Sequence, residues 1–140
     1  MSVRSVHLFT VDALLGTVVD VGRTPTGHRR VIPIVGGTVS GDLVGTVLPG
    51  GADWNLQRTD GSTELWARYE LRLADGAVVS VTNTAVHAAH DPAPILTTPQ
   101  FDVGDDGPVA LRTGVYVGLL TPRLDENRVR IEVHRLVASA

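Results

Sequence analysis

WNLQRTDGSTELWARYELRLADGAVVSVTN, residues 54–83, contains three runs rich in β-forming residues, separated by Asp60-Gly61 and Asp75-Gly76. An Asp-Gly pair between such runs is a strong hairpin signal, because both residues accept the backbone angles of tight turns. The stretch therefore predicts two consecutive hairpins, with strands at 54–59, 63–73 and 77–83.

The register of these strands follows by counting if each turn has a two-residue loop. Asp53 then lies opposite Arg68, and Arg68 lies opposite Asn83, so three polar residues form a row on one face of the sheet. The count predicts either a polar pocket or a cross-strand ion pair on a solvated face, which would contribute only about 0–1 kcal/mol.

The aromatic residues favour the pocket. Trp66 and Asn55 fall on the Arg68 face by this count, and a large aromatic beside charged groups is better explained by a shaped cavity than by open solvent. Trp54 and Tyr69 fall on the opposite face, because side chains alternate along a strand.

The rest of the chain has the same strand-like pattern. Val129, Ile131 and Val133 alternate with polar residues, which is typical of a strand with one solvated face. Gly41 and Gly45 predict a bend or bulge within the run 37–48. Further strands are predicted near residues 6–11, 14–19, 29–35, 37–48, 113–120 and 128–134.

Composition limits the chemistry. The 140 residues suit one domain, 1–140, and all 12 basic residues are arginine, while cysteine is absent. Thiolate nucleophiles, disulfides and lysine Schiff bases are therefore excluded. A net charge of −3 argues against a nucleic-acid partner. No apolar run approaches the roughly 20 residues of a membrane span, and no signal-peptide pattern begins the chain, so we expect a cytoplasmic protein without a membrane partner.

Nearly the whole chain resembles a known family, and the most specific match is one short run. The run LPGGADW at residues 48–54, with Gly36–Gly41 before it and Ala67–Tyr69 after it, is similar to the DUF3237 (UPF0311) family of small bacterial and fungal proteins. The resemblance implies a single small barrel of antiparallel strands. Carried over to this chain, the family pattern marks four residues, Asp53, Trp54, Arg68 and Tyr69.

Pattern and resemblance together predict an all-β fold: a single closed antiparallel β-barrel of about eight strands with a central ligand cavity, lipocalin-like or allene-oxide-cyclase-like. Homodimerisation is compatible with this fold, and the apolar run Thr113–Leu120 is the candidate contact.

The leading functional hypothesis is a cofactor-free enzyme that cyclises, isomerises or dehydrates a small organic molecule, or acts on it as a lyase, as in specialised metabolism. Asp53 would act as general acid, general base or orienter, while Arg68 would stabilise developing negative charge. His87 is the alternative base. The expected substrate contacts are Trp54, Asn55, Trp66, Tyr69 and Asn83.

Other functions stay open. A non-catalytic carrier of a small apolar ligand needs no titratable pair, and an interaction module is favoured if the Asp53–Arg68 row faces solvent. His87 and His90, with Asp91 adjacent, also invite a metal interpretation, although no further ligand follows at a characteristic spacing. The glycine-rich residues 36–51 lack the ending of a phosphate-binding loop.

Overall fold

The computed structural model describes residues 1–140, which form ten β-strands and two short 3₁₀ helices. The strands are β1 (Ser2–Leu15), β2 (Val19–Thr24), β3 (Gly27–Gly41), β4 (Gly45–Val47), β5 (Gly51–Arg58), β6 (Thr63–Leu73), β7 (Val78–His87), β8 (Ile95–Val103), β9 (Val115–Arg123) and β10 (Arg128–Ser139). The 3₁₀ helices span Val109–Arg112 and Leu124–Glu126. The predicted all-β class is confirmed, with ten strands in place of about eight. Neither helix is long or apolar enough to cross a membrane.

One antiparallel sheet contains all the strands. Its hydrogen-bonded order is β1, β10, β9, β8, β7, β6, β4, β3, β2, while β5 lies off this path and pairs with β3 and β6. β1 pairs with β10 on one side and with β3 on the other, so the pairing leads back to the strand where it began. One face of the sheet buries apolar side chains, and the other carries most of the charged ones.

Three strand predictions need correction. Residues 16–18 connect β1 to β2, and the predicted run 37–48 is divided into the end of β3 and the short β4. Gly45 permits the close pairing of β4 with β6, because a Cβ atom there would lie 2.1 Å from the carbonyl oxygen of Arg72. The sequence did not predict β8, since Pro99 interrupts its β-forming residues.

The two Asp-Gly turns contain one residue more than the count assumed. The Arg58 N–H donates to the Ser62 carbonyl (2.8 Å) and the Gly61 N–H donates to the Arg58 carbonyl (3.0 Å), so the loop is residues 59–61. Leu73, Gly76 and Ala77 repeat this pattern. The glycine of each pair has positive φ and the aspartate does not, as in a type I turn followed by a left-handed glycine.

The extra residue changes which side chains share a face. Asp53 pairs with Ala67, and Ala67 pairs with Asn83, while Arg68 pairs with Ala52 and with Thr82. The predicted row of Asp53, Arg68 and Asn83 is therefore wrong, because a shift of one residue moves a side chain to the other face. Asp53 and Asn83 do share a row on the inner face, but Ala67 lies between them.

The inner face forms a single apolar core. Its largest fully buried side chains include Tyr69, Phe9 and Leu71. Ala13, Ile34, Tyr69, Leu120 and Ile131 belong to this core and also line the pocket described next. The pocket is thus continuous with the core of the sheet.

Candidate functional site

A pocket of about 240 Å³ lies on the inner face, and 12 of its 20 lining residues are hydrophobic. At roughly 30 Å³ per molecule, this volume corresponds to about eight waters, or to one small organic molecule. Five polar residues of the chain are buried, and four of them line this pocket, whereas Ser62 does not. The four are Asp53, Asn55, Asn83 and Thr97.

Asp53 is the buried carboxyl group of the pocket. Its Oδ1 accepts the backbone N–H of Trp66 (2.9 Å), and its Oδ2 accepts Nδ2 of Asn55 (3.2 Å). Burial raises the pKa of Asp53 above its ordinary value of 3.8, and this outweighs the lowering by those two hydrogen bonds and by Arg30 and Arg29. A carboxyl group with a raised pKa gives and takes protons closer to neutral pH.

A break in the β5–β6 ladder makes the Trp66 N–H available. The strands pair at Asp53–Ala67 and again at Leu56–Glu64, but not between these positions. In an antiparallel ladder every second residue pair is hydrogen-bonded through its backbone groups. Arg58 and Ser62 form such a pair, so Trp54 and Trp66, four residues further along each strand, would form another. Instead the Trp66 N–H bonds to Asp53, and Nη1 of Arg29 donates to the Trp54 carbonyl (2.9 Å). Side chains thus satisfy both groups that the ladder releases.

Asn55 links Asp53 to a cation that the sequence analysis missed. Arg30 pairs with Asn55 across β3 and β5, and its Nη2 donates to Asn55 Oδ1 (3.2 Å). Arg30 lines the pocket and lies near Asp53, whereas Ala67 occupies the position opposite Asp53 that was predicted for Arg68. Because no short turn joins β3 to β5, the register between these two strands could not be counted from the sequence. Arg30 was therefore not predicted as a neighbour of Asn55 and Asp53.

Asn83 and Thr97 line another part of the pocket, and a side-chain oxygen of each has no hydrogen-bond partner. Asn83 Oδ1 and Thr97 Oγ1 are both buried without a hydrogen-bond partner in the protein. Thr97 pairs with Gly118 of β9, and a Cβ atom at Gly118 would lie 2.1 Å from Thr97 Oγ1. The glycine therefore leaves the space that the hydroxyl occupies. Thr97 lies in β8, which the sequence pattern did not predict, and it was therefore not predicted as a site residue.

Two other predicted site residues lie in the pocket. Tyr69 is fully buried, and burial raises its pKa, so its hydroxyl stays protonated. The prediction that Tyr69 faces away from Asp53 is wrong. His87 also lines the pocket, at the end of β7, and its Nε2 lies 3.0 Å from the Asp91 carbonyl oxygen. In the tautomer whose Nε2 donates to that carbonyl, Nδ1 keeps its lone pair.

Three predicted site residues lie elsewhere. Arg68 is exposed on the outer face, in a groove with Thr82 and Asp102. Trp54 and Trp66 also point outward, are 39% and 44% exposed, and pack edge to face with centroids 5.6 Å apart. These side chains do not line the pocket. The extra turn residue puts Arg68 and Trp66 on the other face from Asp53, and Trp54 lies on that face because it directly follows Asp53 in β5.

The other constellations in the sequence form no site. No three histidine or carboxylate side chains gather where they could hold a metal ion. His90 is exposed, and Asp91 uses its carboxylate to accept the Ala93 N–H. The metal interpretation of His87 with these neighbours therefore has no geometric support.

The fold and the pocket define a small antiparallel β-protein in which four of the five buried polar residues line one largely apolar pocket on the inner face. The sequence profile of the DUF3237 family, described as "Protein of unknown function (DUF3237)", matches residues 3–94, and the chain belongs to this family. The predicted resemblance is therefore confirmed.

Relatives agree over nearly the whole chain. The UPF0311 protein blr7842 of Bradyrhizobium diazoefficiens is 35% identical, over 94% of this chain and 95% of its own length. The crystal structure of RPA1785 from Rhodopseudomonas palustris, 33% identical, has a TM-score of 0.88 and covers 98% of this chain and 99% of its own. A beta-barrel like protein from Acinetobacter baumannii, 26% identical, has a TM-score of 0.86 and covers 98% of each chain.

The same fold occurs in a more distant protein. The crystal structure of an enzyme from Penicillium herquei has a TM-score of 0.79 and covers 98% of this chain and 96% of its own. Its sequence identity is 21%, and the similarity is therefore one of fold.

Proposed function

We propose that the sheet encloses a ligand cavity as a closed barrel, and that the protein is a cofactor-free enzyme acting on a small organic molecule. The observation that supports this most is Asp53, a buried carboxyl held by the Trp66 N–H and by Asn55 in a largely apolar pocket. The fold is compatible with catalysis, since the Penicillium herquei protein that shares it is described as an enzyme.

Asp53 is the proposed general acid or base. Its two hydrogen bonds fix the plane of the carboxyl group, and its raised pKa allows it to give or take a proton under mild conditions. Arg30 acts through Asn55: it donates to the amide oxygen, which polarises the amide and strengthens the hydrogen bond from Nδ2 to Asp53. Arg30, and not Arg68, is therefore the proposed cation that acts on Asp53.

The proposed reaction needs only proton transfer and electrostatic stabilisation. Cyclisation, isomerisation and dehydration all meet this condition, because each moves a proton within one substrate molecule or releases water. His87 lines the pocket where β7 ends, near Ile95 at the start of β8. It is the alternative base, or the second member of an acid–base pair.

A non-catalytic carrier is the second candidate. The unpaired Asn83 and Thr97 favour it, because these groups can bind a ligand without any titratable residue. The predominantly apolar lining suits a carrier equally well. The two candidates differ only in whether Asp53 exchanges a proton with the bound molecule.

Mass spectrometry of a small-molecule extract incubated with the pure protein tests the proposal. Cyclisation and isomerisation leave the mass of a compound unchanged and shift its retention time, whereas dehydration lowers its mass by one water. Asp53→Asn should slow the conversion by about 10²–10⁴-fold, the usual contribution of a general acid or base. Asp102→Asn is the matched control, since Asp102 is exposed on the outer face.

The outcomes separate the candidates. Conversion by the wild type and by Asp102→Asn, but not by Asp53→Asn, supports the enzyme. Equal conversion by all three proteins removes Asp53 from the chemistry, and His87→Gln then tests the alternative base. A compound that is retained by the protein but never converted supports the carrier.

A further inference from the structure

We propose that the pocket binds an uncharged, mostly apolar molecule that carries a hydroxyl group, and that Asn83 and Thr97 hold this hydroxyl. The inference deepens the proposed function, because it names the class of ligand for the same pocket. It rests on the binding half of that proposal, which the enzyme and the carrier share, and it does not depend on any proton transfer by Asp53.

Asn83 is a buried amide without a protein partner. Its residue is 4% exposed, it lines the pocket, and its Oδ1 makes no hydrogen bond. It pairs on one side with Ala67 and on the other with Pro99, and neither side chain can donate a hydrogen bond. A buried polar atom without a partner is rare in native proteins and needs an explanation. A ligand that completes the hydrogen bond supplies one.

Thr97 repeats this arrangement on the neighbouring strand. It is 3% exposed, and its Oγ1 is buried without a partner. A threonine hydroxyl in a strand is usually bonded to backbone, to a neighbouring side chain or to water. Gly118 opposite it has no side chain that could serve. Two independent side chains of one wall are therefore left unsatisfied by the protein.

Strand pairing places Asn83 and Thr97 on the same face of neighbouring strands. Asn83 pairs with Pro99, and Thr97 lies two residues before Pro99 on the same face of β8. Diagonal neighbours of this kind have backbones about 7–8 Å apart, so their side chains can reach a common hydroxyl between them. Both residues line the same pocket.

The chemistry of the two groups selects the ligand. An amide and a hydroxyl each donate and accept, so the group that satisfies both best is one that also donates and accepts, as a hydroxyl does. Neither side chain is charged, and a charge buried here would lose its hydration without an ion-pair partner on this wall. The pocket's cation, Arg30, is already bonded to Asn55. The apolar lining accommodates the remainder of the molecule.

Ala67 determines how the ligand is oriented relative to Asp53. It lies between Asp53 and Asn83 in the inner row, and its small side chain leaves the space above it open. Two strand spacings separate Asp53 from Asn83, about 10 Å between their backbones. A ligand bound by its hydroxyl at Asn83 therefore extends its apolar part over Ala67 towards the carboxyl group of Asp53.

Calorimetric titration of the 140-residue chain with three naphthalenes of similar size tests the inference. Naphthalene has no polar group, 1-naphthol adds a neutral hydroxyl, and 1-naphthoate adds a negative charge. We expect 1-naphthol to bind about ten-fold more tightly than naphthalene, as one or two net hydrogen bonds allow, and 1-naphthoate to bind more weakly than 1-naphthol.

Variants locate the preference. Asn83→Leu should abolish the roughly ten-fold preference for 1-naphthol while keeping the affinity for naphthalene, and Thr97→Val should reduce it. Thr97→Ser keeps the hydroxyl and should restore it. Thr84→Val is the matched control, because Thr84 pairs with Trp66 and Thr98 outside the pocket lining. Near-ultraviolet circular dichroism confirms that each variant is folded.

Several results would overturn the inference. Tighter binding of 1-naphthoate would make the pocket an anion site, and equal binding of naphthalene and 1-naphthol would show that no polar group recognises the ligand. An undiminished preference in Asn83→Leu would remove Asn83 from the site, and no binding of any of the three would exclude this ligand class. None of these outcomes requires turnover, so an inactive Asp53→Asn protein with the expected naphthol preference leaves the inference intact, and a protein that converts nothing contradicts only the enzyme.

Discussion

Asn55 and Asn83 are the same residue type in the same pocket, and they differ in what surrounds their amides. Each is 4% exposed and lies on the inner face of the sheet. Asn55 has both ends of its amide engaged, by Arg30 and by Asp53, whereas the carbonyl oxygen of Asn83 has no partner. One amide is therefore part of the protein's internal hydrogen-bond framework, and the other has an oxygen that no group of the protein satisfies.

This difference has a thermodynamic meaning. A buried hydrogen bond contributes about 0.5–1.5 kcal/mol net, but a buried polar atom without a partner costs about 1–3 kcal/mol. Asn55 thus stabilises the folded chain, whereas the unpaired oxygen of Asn83 destabilises it. Replacing each amide with leucine, which has nearly the same shape, should move stability in opposite directions.

The largest effect is expected for Asn55→Leu. The substitution leaves Asp53 Oδ2 and the Arg30 guanidinium without their partner in a buried site. We expect a loss of about 2–3 kcal/mol in the free energy of unfolding, measured by urea denaturation. A loss below the error of the fit would mean that water replaces the amide, and that the two asparagines are equivalent.

Asn83→Leu should stabilise the ligand-free protein. It removes an unsatisfied buried oxygen and adds apolar contact, for a gain of about 1 kcal/mol, or a rise in Tm of about 3–4 °C in a chain of this size. Thr97→Val should act in the same direction. Differential scanning calorimetry measures both, and a fall in Tm of either variant would show that the native residue is satisfied in solution by ordered water.

The pH dependence of stability distinguishes Asp53 from the carboxylates on the outer face. Because the pKa of Asp53 is raised on folding, the folded chain holds a proton that the unfolded chain has released between pH 3.8 and the folded pKa. The contribution of Asp53 to stability is therefore present at low pH and is lost as the pH rises through this interval. Asp53→Asn removes this titration, so stability measured from acid to neutral pH should decline less in the variant.

Asp102→Asn provides the comparison for that series, because Asp102 is exposed. Its stability curve should run parallel to that of the wild type. If the Asp53→Asn curve is parallel as well, burial does not raise the pKa of Asp53, and the case for an acid–base role weakens.

The smallest effect is expected for Arg68→Ala. Arg68 is exposed on the outer face and makes no salt bridge, so its removal should change the free energy of unfolding by less than about 0.5 kcal/mol. Ligand affinity should be unchanged, whereas Arg30→Ala should lower both stability and activity. A loss of ligand binding in Arg68→Ala would contradict the register of β5, β6 and β7.

The sequence predicted the hairpins but not their loop lengths. Alternation within β6 correctly put Tyr69 on the face opposite Arg68, because that pattern does not depend on a turn. The relation between strands does depend on it, and an Asp-Gly pair fits a two-residue loop as well as the last two positions of a three-residue loop. In the folded chain the Asp60 carboxylate accepts the Ser62 N–H (2.9 Å). Of the Asp60-Gly61 pair, only Gly61 adopts a positive φ, as a three-residue loop requires.

Residues contributed by distant strands were beyond that reasoning. Asp53 and Asn83 were found because both lie within the stretch joined by short turns. Arg30 reaches the site through pairing between β3 and β5, which β4 separates in the chain, and Thr97 reaches it through β8, where Pro99 obscures the alternation. Such contacts are set by pairing between strands that lie far apart in the chain, and local patterns do not encode them.

The outward tryptophans give the protein an optical signal of its own. Trp54 and Trp66 are the only tryptophans in the chain, they touch each other, and the backbone N–H of Trp66 is bonded to Asp53. All tryptophan emission therefore originates on the outer side of the sheet, directly behind the carboxyl group. A molecule that enters the pocket and changes the hydrogen bond between Asp53 and Trp66 should shift the wavelength of maximum tryptophan fluorescence. Binding can then be followed without a label and before the molecule is identified.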